Sequence, residues 1–156
     1  MAKFHGLPGV FRPDRVQKSL QTIEQSALAV SPEGVANFVT AEGKLPEGVG
    51  YGSIAYFTPE IFMLAMTYMY AGQKELGLKV AERGMHAITI IEGSLWNQPN
   101  LIAGDTGDRL FGSHYDQNMM LWALPAALEG KDIASFCAPG GFVDRILKAA
   151  KSGSTS

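Results

Sequence analysis

Hydrophobic positions recur along this chain in two registers. Between residues 13 and 30 they fall at Val16, Leu20, Ile23, Ala27 and Val30, with Asp14, Arg15, Gln17, Lys18, Gln21, Glu24 and Gln25 on the other faces. Steps of four, three, four and three are the period of a helix with one wet side. Pro13 suits its first turn, where a missing N–H costs nothing, and Ser31-Pro32 marks its end. The stretch IFMLAMTYMYA, residues 61–71, carries no charge and no polar face. A helix apolar all round is expected to be buried all round, and the plain reading of its Met and aromatic stripe is core packing. Thr58-Pro59-Glu60 predicts its start, with a cap oxygen, a first-turn proline and a carboxylate on the positive end of the helix dipole. Gly72 predicts its stop. Residues 73–92 are amphipathic again, with Leu76, Val80, Gly84, Ala87 or Ile88, and Ile91 inward, and Gly93 as the cap. A fourth helix, about Tyr115 to Glu129, is apolar on every side, and Pro125 is expected to bend its last turn. A KDIASFC turn, Pro139-Gly140-Gly141 and an amphipathic helix over residues 142–151 finish the chain.

Wet and dry helices therefore alternate, and so do their connections. Links from wet to dry are long (residues 31–58 and 93–114), whereas the return at Gly72 is almost absent. In the first long link, ANFVT and GSIAYF can each form a short strand; otherwise it is glycine-rich loop, longer than ordinary connections. The expected fold is all-α: helical pairs of an α/α barrel, a partial toroid with apolar inner helices and amphipathic outer ones. Its long loops would rim one end, where sites sit on a rigid scaffold. The expected organisation is one unit over residues 1–151 with a disordered tail at 152–156.

Size and composition sharpen that picture. A closed ring of six helix pairs needs roughly twice the available 156 residues, at about 11–12 residues per helix plus loops. Two all-apolar helices in an open ring would leave large uncovered patches. The expected partners are the remainder of a barrel or further copies of the chain. Charged residues make up only 18%, below the usual quarter, which fits a partly covered surface. The net charge of −2 gives no electrostatic footprint for nucleic acid. No apolar run reaches the ~18 residues of a membrane span, and no secretory signal is visible, so the default compartment is cytoplasmic. Cys137 stands alone beside Phe136, which excludes a disulfide framework and reads as a small buried group.

Chemistry concentrates in SLWNQPNLIAGDTGDRLFGSH, residues 94–114, and in Asp116 just beyond it. Trp96 with Asn97, Gln98 and Asn100 has the makings of a sugar subsite, an indole face beside amides; the alternative is a loop anchor. Asp105, Asp108 and Arg109 can orient hydroxyls or bind a cation, or Asp-Thr-Gly is turn chemistry with an Asx bond. The spacing is not that of an EF-hand. His114 and Asp116 flank Tyr115, a pair suited to proton transfer unless Asp116 only caps the helix. His5 and His86 have no metal-ligand spacing, and glycine-rich residues 43–52 lack a phosphate-loop lysine. No metal and no cofactor are expected.

The alternation and several residues together resemble the C-terminal part of the catalytic domain of family 116 glycoside hydrolases, the non-lysosomal glucosylceramidase and bile-acid β-glucosidase group. HGLPGVFRPDRVQKSLQTI is similar to that family's Gly-Leu-Gly stretch and following helix. In SIAYFTPEIFMLAMTYMYAGQKELGLKVAER, residues Gly72, Glu75, Gly77, Ala81 and Glu82 match, and in LFGSHYDQNMMLWALPAAL so do Tyr115, Trp122 and Ala123. The resemblance covers about residues 4–130 and implies a six-pair helical barrel that hydrolyses β-glucosides. The departures weigh as much. The family's sugar-binding glutamate falls on Asn100, its arginines near Gly112 and on Gln117, and a further glutamate on Ala55. The nucleophile and the acid/base aspartate both belong upstream of the matched stretch. Retaining hydrolysis needs two carboxylates about 5–5.5 Å apart. The implied role is a segment contributing rim loops and inner helices, with Trp96, Gln98, Asn100, Asp108, Arg109, His114 and Asp116 toward substrate. The rivals are a non-catalytic helical-pair module that binds a ligand or partner and, last, a complete small hydrolase using Asp105, Asp108, Asp116 or a loop glutamate.

Overall fold

The computed structural model describes residues 2–93, 96–114 and 117–153. The chain is mostly helical, and the second apolar stretch is its centre. Helix α1 spans Pro13–Gln25, α2 Thr58–Tyr70 and α3 Lys74–His86. On α2, Ile61, Phe62, Ala65, Met66, Tyr68 and Met69 are all buried, and against them pack α3, residues 117–129 and the short strand before the helix. Gly72 closes α2 as expected. Its φ is 90°, the Gln73 N–H reaches the Tyr68 carbonyl (2.9 Å) and its own N–H reaches Met69 (3.0 Å). That is a Schellman stop, and only glycine adopts this conformation freely. A three-residue link forces α3 back antiparallel to α2, burying Gly77, Val80, Ala81 and Gly84 at the contact.

The expectation of an all-α chain is corrected by a small antiparallel sheet of order β1-β2-β3. Strand β1 (Ala55–Phe57) lies within the predicted GSIAYF, but ANFVT forms no strand. Strands β2 (Leu101–Ala103) and β3 (Arg109–Phe111) make a hairpin inside what reads as a loop. Tyr56 pairs with Ile102, and Phe57 with Leu101. The physical cause is backbone satisfaction: both long links cross the same end of the α2–α3 pair, and there they hydrogen-bond each other. The α2 start is tied in too. Thr58 does not cap the helix; its hydroxyl donates to the Pro99 carbonyl (2.8 Å) and its N–H to the Asn100 carbonyl (3.1 Å).

Other expectations shift. The α-helical part of the first helix stops at Gln25, and residues 26–30 continue as turns. The Arg83 guanidinium collects the carbonyls of Leu28, Ser31 and Gly34 there. The third helix widens into a π turn over Ala87–Ile91, with the Glu92 N–H on the Ala87 carbonyl (2.9 Å). The fourth predicted helix is a 3₁₀ coil, Gln117–Ala123, leading into a short α4, Leu124–Glu129. Pro125 sits in the first turn of α4, where it starts the helix instead of bending its end. Neither dry segment is enclosed on every side. Met63 is 37% exposed on α2, and Trp122 is 63% exposed before α4. The neighbours of α2 cover three sides and leave the Met63–Thr67 stripe to solvent.

Helix α5, Ile133–Cys137, replaces the predicted turn because Asp132 caps it, accepting the Ser135 N–H at 2.7 Å. Phe136 is buried and stacks on Phe142, whereas Cys137 is exposed, contrary to its reading as a buried group. The i+1 neighbour of a buried helical residue faces about 100° away from it. Helix α6 runs Phe142–Gly153, past the predicted start of the tail; the rest of that tail lies outside the described residues. Among the described residues, no helix is long and apolar enough to cross a membrane.

Candidate functional site

The loop from Trp96 to Asn100 is held from two directions. Pro99 is fully buried, and the Thr58 bonds anchor it to the α2 start. From the other side Arg109, on β3, reaches across it. Its guanidinium makes four hydrogen bonds to protein acceptors and an ion pair with Glu92. Nε donates to Glu92 Oε2 (2.8 Å), and one Nη donates to the Gly112 carbonyl (3.0 Å) and to Asn97 Oδ1 (3.4 Å). The other Nη donates to the Asn97 carbonyl and lies 2.8 Å from Glu92 Oε2. The Arg109 backbone N–H meets Glu92 Oε1 at 2.9 Å, so one carboxylate binds both the side chain and the strand. The pair is largely shielded, with side chains 26% and 14% exposed. Asn97 Oδ1 also accepts the backbone N–H of His114 (3.1 Å), whose φ is 58°.

This clamp leaves Trp96 standing free. Its indole is 91% exposed, the most exposed of the large hydrophobic side chains described. Asn97 and Gln98 are half-buried beside it, and both make further contacts. The other predicted residues divide. Asn100 Oδ1 is buried and has no hydrogen-bond partner among the described residues, so it faces the interior and not the rim. Asp108 is exposed, its carbonyl accepting the Ala103 N–H (2.9 Å) within the hairpin. His114 is exposed, and Asp116 lies outside the described residues. Asp105-Thr106-Gly107 is turn chemistry: Asp105 Oδ1 accepts the Thr106 N–H (3.0 Å) and Thr106 Oγ1 the Asp108 N–H (3.3 Å). Among the described residues, no group of three or more His, Cys, Asp or Glu side chains can hold a metal ion.

The structure therefore brings Asn97, Arg109 and the His114 backbone together, and adds Glu92, which the sequence reading had not singled out. One signal pointed to it. A glutamate at a helix C-terminus meets the negative end of the dipole and is unfavourable without a cation beside it. No family model matches the chain, and no curated protein matches it.

Proposed function

We propose that the chain is a carbohydrate-contacting segment of a glycoside-hydrolase-like helical barrel. In this reading α2 and residues 117–129 are inner elements, α1, α3 and α6 outer ones, and the loop from Trp96 to His114 is pocket rim. The carboxylates that cleave the glycosidic bond come from an N-terminal part of a longer chain. The observation that carries the reading is Trp96: an indole almost wholly in water, on a loop held rigid by Arg109 and Pro99. An exposed aromatic face on an anchored loop suits stacking on the C–H face of a sugar ring. Arg109 serves this site by positioning the loop, since its donors are committed to protein acceptors.

The test is a titration with β-glucosides, read by Trp96 fluorescence in a Trp122→Phe background. A saturable fluorescence change, with binding by calorimetry lost in Trp96→Ala, supports the reading, and no response discards it. Turnover of an aryl β-glucoside by this chain alone, lost in Asp108→Asn, would discard the view that the carboxylates come from elsewhere. A second reading, a non-catalytic helical-pair module that binds a protein partner, is favoured by the apolar side chains left in water: Ile90 (69%), Leu110 (49%), Phe111 (55%) and Trp122 (63%). It expects no sugar response, and partner binding that Trp96→Ala leaves intact.

A further inference from the structure

Helix α3 is pinned just before its last turn. The Arg83 guanidinium holds the carbonyls of Leu28, Ser31 and Gly34, and His86 Nδ1 lies 2.8 Å from Glu33 Oε2. Beyond that point Ile88, Thr89, Ile90 and Ile91 follow in succession, all β-branched, and such residues crowd an α-helical turn. The Thr89 hydroxyl donates to the Met85 carbonyl (2.7 Å), the acceptor that an α-helix reserves for the Thr89 N–H. The backbone takes the wider course, a π turn over Ala87–Ile91. Ile91 is seated on the hairpin turn at Gly107, where a Cβ would collide with its Cδ1. The π turn takes up one residue more than an α-helical turn would, and one residue rotates an α-helix by about 100°. Glu92 is swung round by that much from where a regular helix would aim it.

That rotation matters because of where the Glu92 carboxylate ends. Its Oε1 accepts the Arg109 backbone N–H (2.9 Å) and its Oε2 the Arg109 Nε–H (2.8 Å). Arg109 in turn donates to the carbonyls of Asn97 and Gly112, and Asn97 adjoins Trp96. A glutamate at a helix C-terminus is unfavourable by itself, so its place there is set by the arginine it meets. π turns are uncommon within helices and concentrate at functional sites. We propose that the π turn of α3 is a positioning device for the Trp96 loop: it aims Glu92 at Arg109, and Glu92 acts through Arg109 to order residues 96–100. Use of that order for a sugar rests on the carbohydrate reading of Trp96, whereas the order itself is measurable without any ligand.

Relaxation measurements on the full chain read the backbone order at Asn97, Gln98 and Asn100, and the Arg109 Nε–H resonance reads the bond to Glu92. Glu92→Ala should lose the protected Nε–H resonance and lower the loop order parameters from about 0.85 to below about 0.6, with the α2 amides unshifted. Glu92→Gln, which keeps an acceptor oxygen, should fall between the two. Ile90 is 69% exposed, so Ile90→Glu combined with Glu92→Ala keeps a carboxylate on the turn without its aim, and should restore neither signal. Deletion of Thr89 closes the π turn and should act as Glu92→Ala does. By calorimetry, Glu92→Ala should weaken β-glucoside binding about tenfold, since the loop must then be ordered on binding. Loop order that survives Glu92→Ala, or that Ile90→Glu restores, overturns the proposal. So does a folded Thr89 deletion that retains the Arg109 resonance. A wild-type chain that binds no sugar yet shows these changes in order supports the positioning role and discards the carbohydrate reading alone.

Discussion

Arg109 and Trp96 form a pair with opposite energetics. Truncating Arg109 to Ala strands the Glu92 carboxylate, 14% exposed, without its cation and frees the Asn97 and Gly112 carbonyls. Breaking a fully buried pair costs about 3–5 kcal/mol; with the arginine a quarter exposed, about 2 kcal/mol is expected, read as a lower urea midpoint. Glu92→Gln keeps an acceptor for the Arg109 N–H groups and should cost less. Trp96→Ala removes a side chain that already stands in water, so stability should move by no more than about 0.5 kcal/mol while any sugar response disappears. At this scale the sequence was informative where chemistry is local. Asp105-Thr106-Gly107 bonds to its own turn, and Trp96 has nothing to hide behind. It was silent where a partner comes from elsewhere. Arg109 and Glu92 sit 17 residues apart, and only the hairpin brings them together.

Among the elements, the α2–α3 contact is the tightest. A Cβ on Gly77 would lie 2.7 Å from the Ala65 carbonyl oxygen and 2.6 Å from Met69 Cγ; on Gly84 it would lie 2.6 Å from Ile61 Cγ2. Alanine gains about 1 kcal/mol in helix propensity over glycine, and overpacking costs about 1–3 kcal/mol. At Gly77 the obstacle includes backbone that cannot turn aside, so the clash should win by about 1–2 kcal/mol. At Gly84 only side chains intervene, so Gly84→Ala should be the milder change. Thermal denaturation of both variants compares them, and a stabilised Gly77→Ala would mean the helices stand further apart. The helices were legible because three turns of periodic burial leave a repeated signal. Three-residue strands were not, since they hold barely one and a half alternations. Pro125 shows how the same residue misleads: proline ends one helix and begins another, and the pattern of apolar residues through 115–129 hides the change from 3₁₀ to α.

The whole molecule is unevenly held together. Its interior is α2 with α3, residues 117–129 and β1, while α5 and α6 are joined to it chiefly through Phe136, Phe142 and surface ion pairs. Peripheral units of this kind open at lower free energy than the core. Three carboxylates tie the periphery down. The Lys131 ammonium and then Arg145 hold the Glu129 pKa below its usual range. The Ser135 backbone N–H does so for Asp132, and Lys148 with the Gly140 N–H for Asp144. A carboxyl whose pKa is lowered by folding stabilises the fold above its unfolded pKa, and that contribution is lost as pH falls through the folded value. Acid should therefore loosen α5 and α6 first, because Glu129 on α4 holds Lys131 just before α5 and Arg145 of α6, Asp132 caps α5, and Asp144 accepts the Gly140 N–H before α6. Amide protection factors followed from about pH 6 down to about pH 2.5 should fall in residues 133–150 before they fall in α2. Asp132→Ala with Asp144→Ala, which remove the acceptors of the Ser135 and Gly140 N–H groups, should bring that early opening to neutral pH. Simultaneous loss in α2 and α6 would mean that one cooperative core extends to the C-terminal helix, and that the ion pairs around Glu129 join it more firmly than solvent-exposed pairs ordinarily do.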